Sequence, residues 1–180
     1  MQFHFDFGKV LQAAGVLLHL DGKRMSRLRL LKLLYIADRE LIAEVGRTIS
    51  GDCAVAMKNG PVLSRTYDLI KGESGRAGEW DNYSHSEGYA VELRSEPGRG
   101  RLSKYEIEKL TEVSDRYRRL DDFDLSELTH QFPEWQRNYR SCTSTPISWV
   151  HVLESKGREE LVQMIEEDEA ARRTLHEMFG

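Results

Sequence analysis

Two ionisable side chains stand where a helix has almost no polar face. Residues 26–44 carry Leu28, Leu30, Leu31, Leu33, Leu34, Tyr35, Ile36, Ala37, Leu41 and Ile42. A helix apolar on nearly every side belongs at the centre of a fold. Lys32 has Leu28 and Ile36 four residues to either side and Tyr35 at i+3, and Asp38 has Leu34, Tyr35, Leu41 and Ile42 at the same spacings. Each charge therefore lies in an apolar stripe. Six residues apart, they point about 120° from one another around the helix, too far to pair. A buried charge is costly without a partner. The expected partners are Arg47, Asp52, the 58–62 loop, Tyr67 and His130. Three kinds of chemistry suit such residues. Lys32 can extend its ammonium to water while Asp38 ties down a loop; the two can form a ligand site; or Lys32, Asp38, Asp52 and His130 can serve an enzyme.

Standard catalytic signatures are missing. No phosphate-binding loop or zinc-protease helix occurs. Arg76 stands where the Gly72-Glu73-Ser74-Gly75 stretch would need a further glycine to make a nucleophile elbow. His85, His130 and His151 are scattered and lack metal-ligand spacing. Cys53 and Cys142 form no pair motif, which argues against a disulfide framework and suits a reducing cytoplasm. Neither a cofactor nor a metal is expected, and the protein reads as a non-enzyme.

The elements that must position these residues follow from periodicity. Phe7 to Leu20 reads as a helix through Val10, Leu11, Ala14, Leu17 and Leu18, and Ser26 caps the second helix, which Gly46 stops. Val55-Ala56-Met57, bracketed by Gly51-Asp52 and Asn59-Gly60-Pro61, reads as a short strand over 53–58 followed by a loop. Ser64 is placed to cap a helix over 65–71. Residues 79–85 and 89–94 read as a hairpin around Ser86-Glu87-Gly88. Ile107, Leu110, Val113, Tyr117 and Leu120 mark a helix over 103–120. A short helix over 124–130, a turn opened by Pro133, a break at Thr145-Pro146, and terminal helices over 147–154 and 158–179 complete the chain. This order predicts an α+β fold, helix-dominated, with a small antiparallel sheet or hairpin and C-terminal helices.

The 180 residues include 26 basic and 30 acidic ones, for a net charge of −4, and 39% are hydrophobic. That describes a soluble globular domain, and no apolar run is long enough for a membrane span. The N-terminus has no basic start followed by an apolar stretch, so it does not read as a signal peptide. Residues 158–180 hold seven acids against three bases, leaving 1–157 balanced at 23 each. The division expected is a main domain over 1–157 and an acidic helical extension over 158–180. The balance argues against a general grip on nucleic acid. One basic cluster, Lys23, Arg24, Arg27, Arg29 and Lys32, reads as a solvated helix start, with nucleic-acid contact as the alternative. Phe132, Trp135, Tyr139 and Trp149 read as packing residues.

Several strings resemble one family in its own order. Leu30-Leu31-Lys32-Leu33-Leu34-Tyr35-Ile36-Ala37-Asp38-Arg39 resembles the signature helix of the Panacea, or SocA-like antitoxin, domain. Gly46-Arg47-Thr48-Ile49-Ser50-Gly51-Asp52 resembles its "yGrpitGD" segment. Val55 to Val62, with Ser64, Tyr67 and Asp68, resembles "yvAmkyGPVps..Yd". Leu125 to His130 with Pro133-Glu134-Trp135 resembles "LselTH...pW". Leu63 replaces a second proline of that pattern. The resemblance spans roughly residues 7–149. It implies a prokaryotic or phage antitoxin that neutralises a cognate toxin protein by direct contact. It also implies, as in the SocA case, an adaptor that delivers its toxin to an AAA+ protease. A nucleic-acid-binding regulator of phage or mobile-element origin is the alternative function. The motif residues Lys32, Tyr35, Asp38, Gly51, Asp52, Met57, Gly60, Pro61, Thr129, His130 and Trp135 are expected to build the core of the motif. Lys58, Asn59, Val62, Arg65, Tyr67 and Asp68 are expected to face the partner, because loops on rigid scaffolds favour binding.

Overall fold

In the computed structural model, residue 1 and residues 3–179 are described, the side chains of 169, 172, 173 and 175–179 excepted. The helices are α1 (Phe7–Leu20), α2 (Arg27–Val45), α3 (Ser64–Lys71), α4 (Ala77–Asp81), α5 (Lys104–Tyr117), α6 (Asp122–His130), α7 (Pro133–Asn138), α8 (Trp149–Ser155) and α9 (Glu160–Phe179). The strands are β1 (Arg24–Ser26), β2 (Ala54–Met57), β3 (Gly60–Leu63), β4 (Ser84–Glu87), β5 (Ala90–Leu93) and β6 (Thr145–Ile147). Among the described residues the fold is α+β and helix-dominated, with two small antiparallel three-stranded sheets. Among the described residues no helix is long and apolar enough to cross a membrane.

Helix α2 runs through the centre. Every residue from Arg29 to Ala43 is buried. The Ser26 side chain accepts from the Arg29 N–H at its start, and Gly46 ends it with φ +70°, the left-handed conformation in which glycine has no Cβ penalty. Helices α1 and α5 pack on one part of its circumference; β3, α6 and α8 cover another. Helix α5 begins with a capping box, Ser103 and Glu106 exchanging backbone bonds. It is tied to α2 by Lys109, whose ammonium meets Glu40 at 3.3 Å and Glu44 at 2.7 Å.

One sheet has the order β1-β5-β4 and the other β3-β2-β6. Three of these strands differ from the sequence reading. Residues 60–63 are a strand and not a loop: Met57 pairs with Gly60 and Ala54 with Leu63, so only Lys58 and Asn59 form the turn. Thr145-Pro146 lies within β6, an edge position where proline forfeits no ladder bond that the sheet requires. Residues 24–26 pair with β5. Residues 77–81, at the start of the expected hairpin, are helical instead, with Trp80 buried.

The basic cluster is also dispersed. Arg29 is buried and donates to the carbonyls of Tyr117 and Leu120 at 3.0 and 2.9 Å, closing the end of α5. Lys32 is buried as well, so neither belongs to a solvated helix start. At the other end of the chain, Leu161 and Ile165 of α9 join the same buried cluster as α2. Arg158 donates to the Ala43 carbonyl near the end of α2.

Candidate functional site

The β2–β3 hairpin is the point on which distant parts of the chain converge. Backbone carbonyls in the hairpin or just before it accept from side chains of four other segments. Lys32 Nζ of α2 donates to the Pro61 carbonyl at 2.7 Å. Ser126 Oγ of α6 donates to that of Asn59 at 2.9 Å. Trp135 Nε1 of α7 donates to that of Met57 at 3.0 Å, and Trp149 Nε1 of α8 to that of Asp52, just before β2, at 3.2 Å. Carbonyls in so short a hairpin lack ladder partners on their outer sides, and buried ones must be paired. The separation of the sequence motifs thus has a structural cause: residues 125–135 act on residues 57–60.

Asp38 and Asp52 organise the approach to the hairpin. Asp38, 1% exposed, accepts from the Ile49 N–H at 2.6 Å, from the Ser50 N–H at 3.3 Å and from the Ser50 hydroxyl. It holds the 47–52 turn on α2. Asp52 accepts from the Cys53, Arg65 and Thr66 amides and from the Thr66 hydroxyl, at 2.7 to 3.1 Å. It therefore satisfies the orphan donors at the start of α3 from outside the helix. Ser64 makes no side-chain cap, contrary to expectation, because α3 begins one residue earlier with Leu63 in the cap position.

Gly60 permits the tight join. Its φ is +93°, and a Cβ there would lie 2.3 Å from Thr129 Oγ1 and 2.9 Å from Lys32 Nζ. The backbone must be bare for the lysine and threonine to reach the turn. Thr129 Oγ1 itself donates to the Ser126 carbonyl at 2.8 Å. His130, Trp135 and Tyr139 form a stacked ladder with centroids 4.2 and 4.6 Å apart. Met57, His130 and Trp135 are only half-buried, whereas Tyr35, Gly51, Gly60, Pro61 and Thr129 are buried.

Of the residues expected to face a partner, Lys58, Asn59 and Arg65 are exposed, and Tyr67 and Asp68 half-buried. Val62 is buried, on β3, the strand of the hairpin that packs against α2. Tyr67 takes an intermediate position, with one ring face toward Lys71 at 5.1 Å and its body lining a pocket. That pocket, about 380 Å³, lies between α2 and the hairpin. Leu28, Leu31, Met57, Val62 and the buried Lys32 are among the residues that line it. Among the described residues no three His, Cys, Asp or Glu side chains are placed to hold a metal. His85 lies on β4, His130 bonds Glu127 at 3.1 Å and His151 bonds Asn138 at 3.1 Å, so the three histidines are not brought together.

Sequence reasoning missed one group. Glu134, 1% exposed, receives Arg39 Nε at 2.5 Å and Nη2 at 3.1 Å, the Tyr35 hydroxyl at 3.0 Å and the Ser155 hydroxyl at 3.1 Å. Its neighbours in sequence, Pro133 and Trp135, drew attention, but a lone glutamate on a short helical turn carries no sign of burial.

Burial drives the Lys32 ammonium down to about 7, with no carboxylate to oppose it. Burial also pushes Asp38 up to about 7, against the Ser50 hydroxyl and the Ile49 and Ser50 amides, which favour its ionised form. The two have opposite consequences. An unfolded lysine titrates near 10.5, so between pH 7 and 10.5 the unfolded chain binds the extra proton and stability rises with pH. An unfolded aspartate titrates near 3.8, so between pH 3.8 and 7 the folded chain binds the extra proton and stability falls as pH rises. Lys32→Met should remove the alkaline limb. In urea melts at pH 7.5 the variant should be within about 1 kcal/mol of the parent or more stable, because the cost of deprotonating and burying the amine is lost along with one hydrogen bond. Its gain in stability from pH 7.5 to 9.5 should be smaller than the parent's. An equal gain would show that Lys32 does not titrate in that range.

The family model described as "Antitoxin SocA-like, Panacea domain" matches residues 30–136, more than half of the chain. This protein belongs to that family. No curated protein matches the chain, and no solved structure does. The matched range begins within α2 and ends within α7. It contains Lys32, Asp38, the whole hairpin, Ser126 and Trp135, and so most of the side chains that brace the hairpin.

Proposed function

We propose that this protein is an antitoxin that neutralises a cognate toxin protein by direct contact. Membership in the SocA-like antitoxin family carries the proposal. The contact surface we assign is the hairpin turn with the outer face of α3: Lys58, Asn59, Arg65, Tyr67 and Asp68. Three features support the choice. The turn residues and Arg65 are exposed. Their backbone is fixed from behind by Lys32, Ser126, Trp135 and Asp52, so little ordering entropy is lost on binding. Tyr and Arg are the types enriched at binding hot spots. In this reading the protein works by occupying its partner and performs no reaction of its own.

Co-expression with small open reading frames adjacent to the gene tests the function. One of them should be toxic alone, harmless with this protein, and should co-purify with it. If each remains equally toxic, the antitoxin reading fails at this locus. Arg65→Glu tests the surface. Because Arg65 is exposed, the variant should keep the parent's melting temperature and weaken toxin binding by about tenfold or more, the scale of a reversed charge at an interface. Unaltered binding would move the interface elsewhere, and the acidic face of α9 would be the next surface to examine. Delivery to an AAA+ protease would appear separately, as a shorter toxin half-life in the presence of this protein.

A further inference from the structure

The pocket beside the hairpin holds a lysine that the fold does not need as a cation. Lys32 is 1% exposed. Its ammonium has three protons to donate, and the Pro61 carbonyl is its one hydrogen-bond acceptor among the described residues. No carboxylate of a described residue reaches it: desolvation alone acts on its titration. A neutral amide or an apolar residue would fit the same place at lower cost, since an uncompensated buried charge is among the most destabilising features a core can carry.

The surroundings favour an anion attached to an apolar body. The walls are Leu28, Leu31, Met57 and Val62, with the Tyr67 ring beside them. Arg27 and Lys58 stand at the mouth, against a single acid, Asp122. Tyr89, at the tip of the β4–β5 hairpin, lines the same pocket and is 84% exposed. An exposed aromatic ring and a buried cation in an apolar depression are the parts of a peptide-recognition site.

We propose that this pocket receives a carboxylate carried by an apolar segment of the partner protein, with Lys32 as its counter-ion. The proposal rests on the toxin-contact reading above and deepens it. The hairpin turn and α3 supply the outer contact, and the pocket supplies the anchor. The cost of burying Lys32 in the free protein is recovered when the partner's carboxylate arrives. The carboxylate can be a side chain or a chain terminus, and both present the same chemistry to the ammonium.

Peptide titrations test it without a toxin. The probes are acetyl-Phe-Leu-Glu-Leu-amide, with an internal carboxylate, acetyl-Phe-Leu-Leu with a free carboxyl end, and acetyl-Phe-Leu-Gln-Leu-amide as the neutral control. Binding is followed by amide chemical shifts of Asn59, Gly60 and Tyr89. At least one acidic peptide should bind about tenfold tighter than the control, the scale of one charge-assisted hydrogen bond. Whichever acidic peptide binds tighter identifies the source of the carboxylate. Lys32→Met should abolish the preference. Tyr89→Asp, at a residue whose side chain is mostly exposed, should weaken all three peptides and the acidic ones most, because the ring is lost for all and the new charge repels only the carboxylates. Calorimetry at pH 8 in buffers of different ionisation enthalpy should show proton uptake on binding of an acidic peptide, because the carboxylate restores the Lys32 ammonium. The other charged and titratable side chains that line the pocket are Arg27, Lys58, Tyr67, Tyr89 and Asp122. Equal affinity for acidic and neutral peptides, a preference that survives in Lys32→Met, or no binding of any probe would overturn the proposal. Failure here leaves toxin neutralisation standing, and a failed neutralisation assay leaves the peptide result standing.

Discussion

Glu134→Ala should lower the stability of this protein by about 3–5 kcal/mol, the range for breaking a buried ion pair from one side. For a chain of this size that is a fall in melting temperature of roughly 6–20 °C. The argument rests on what remains after the glutamate is gone. Arg39 is buried, its guanidinium 2.5 Å from the carboxylate and 4.0 Å above the Phe132 ring. The Tyr35 hydroxyl also loses its acceptor. In the intact protein burial and the nearby Glu134 charge hold the Tyr35 phenol well above its ordinary range, so after the substitution it is a neutral donor without a partner. Removing both charges is a different matter. Arg39→Met together with Glu134→Leu should restore most of the lost stability, since a buried ion pair and a well-packed apolar pair of similar volume are often close in energy. A double variant as unstable as Glu134→Ala would mean that the Tyr35 and Ser155 bonds, and not the ion pair, carry the effect. Thermal or urea unfolding of the two variants decides the matter.

Gly51→Ala should cost at least about 2 kcal/mol, through backbone strain and a clash that cannot relax locally. The residue has φ +63°, and a Cβ there would lie 1.9 Å from the carbonyl oxygen of His4. That neighbour is backbone, held in place because the Asp6 N–H donates to the Ser50 carbonyl at 2.9 Å. The methyl group must therefore push the 4–6 segment away or move the 48–52 turn. Moving the turn withdraws the Ile49 and Ser50 donors from Asp38, so the damage reaches α2. Hydrogen exchange should show faster exchange at Asp6, Ile49 and Ser50 than in the parent. Protection unchanged at all three would mean that the turn absorbs the methyl group without strain. Gly78, where an added Cβ meets nothing within 4 Å and φ is not positive, is the matched control: Gly78→Ala should be nearly neutral.

The sequence by itself determined α2 and what surrounds it. An apolar pattern on nearly every side from Leu28 to Ile42, a Ser26 cap and a Gly46 stop are local signals. They point to a central helix, whereas the burial of the Lys32 ammonium, which could equally have reached water, was decided by the tertiary structure. The first helix, the helix over 103–120 and the helix-dominated α+β class were legible for the same reason, since apolar periodicity is encoded within a few residues of where it acts. The four motif strings were legible as a family pattern. Their common purpose was not, because it depends on contacts between residues about 70 positions apart. Only the tertiary structure decided that Ser126 and Trp135 brace residues 57–60, that Asp52 and not Ser64 caps α3, and that residues 60–63 pair as a strand. Strands of three or four residues carry too little periodicity to announce themselves, and a strand's existence depends on a neighbour that the chain supplies later. The same holds for Glu134. Its type and spacing are those of a surface residue, and it is buried because Arg39 and Tyr35 of α2 and Ser155 of α8 arrive to satisfy it. Local energetics fix the elements; the pairing of buried polar groups, which acts across the chain, fixes the site.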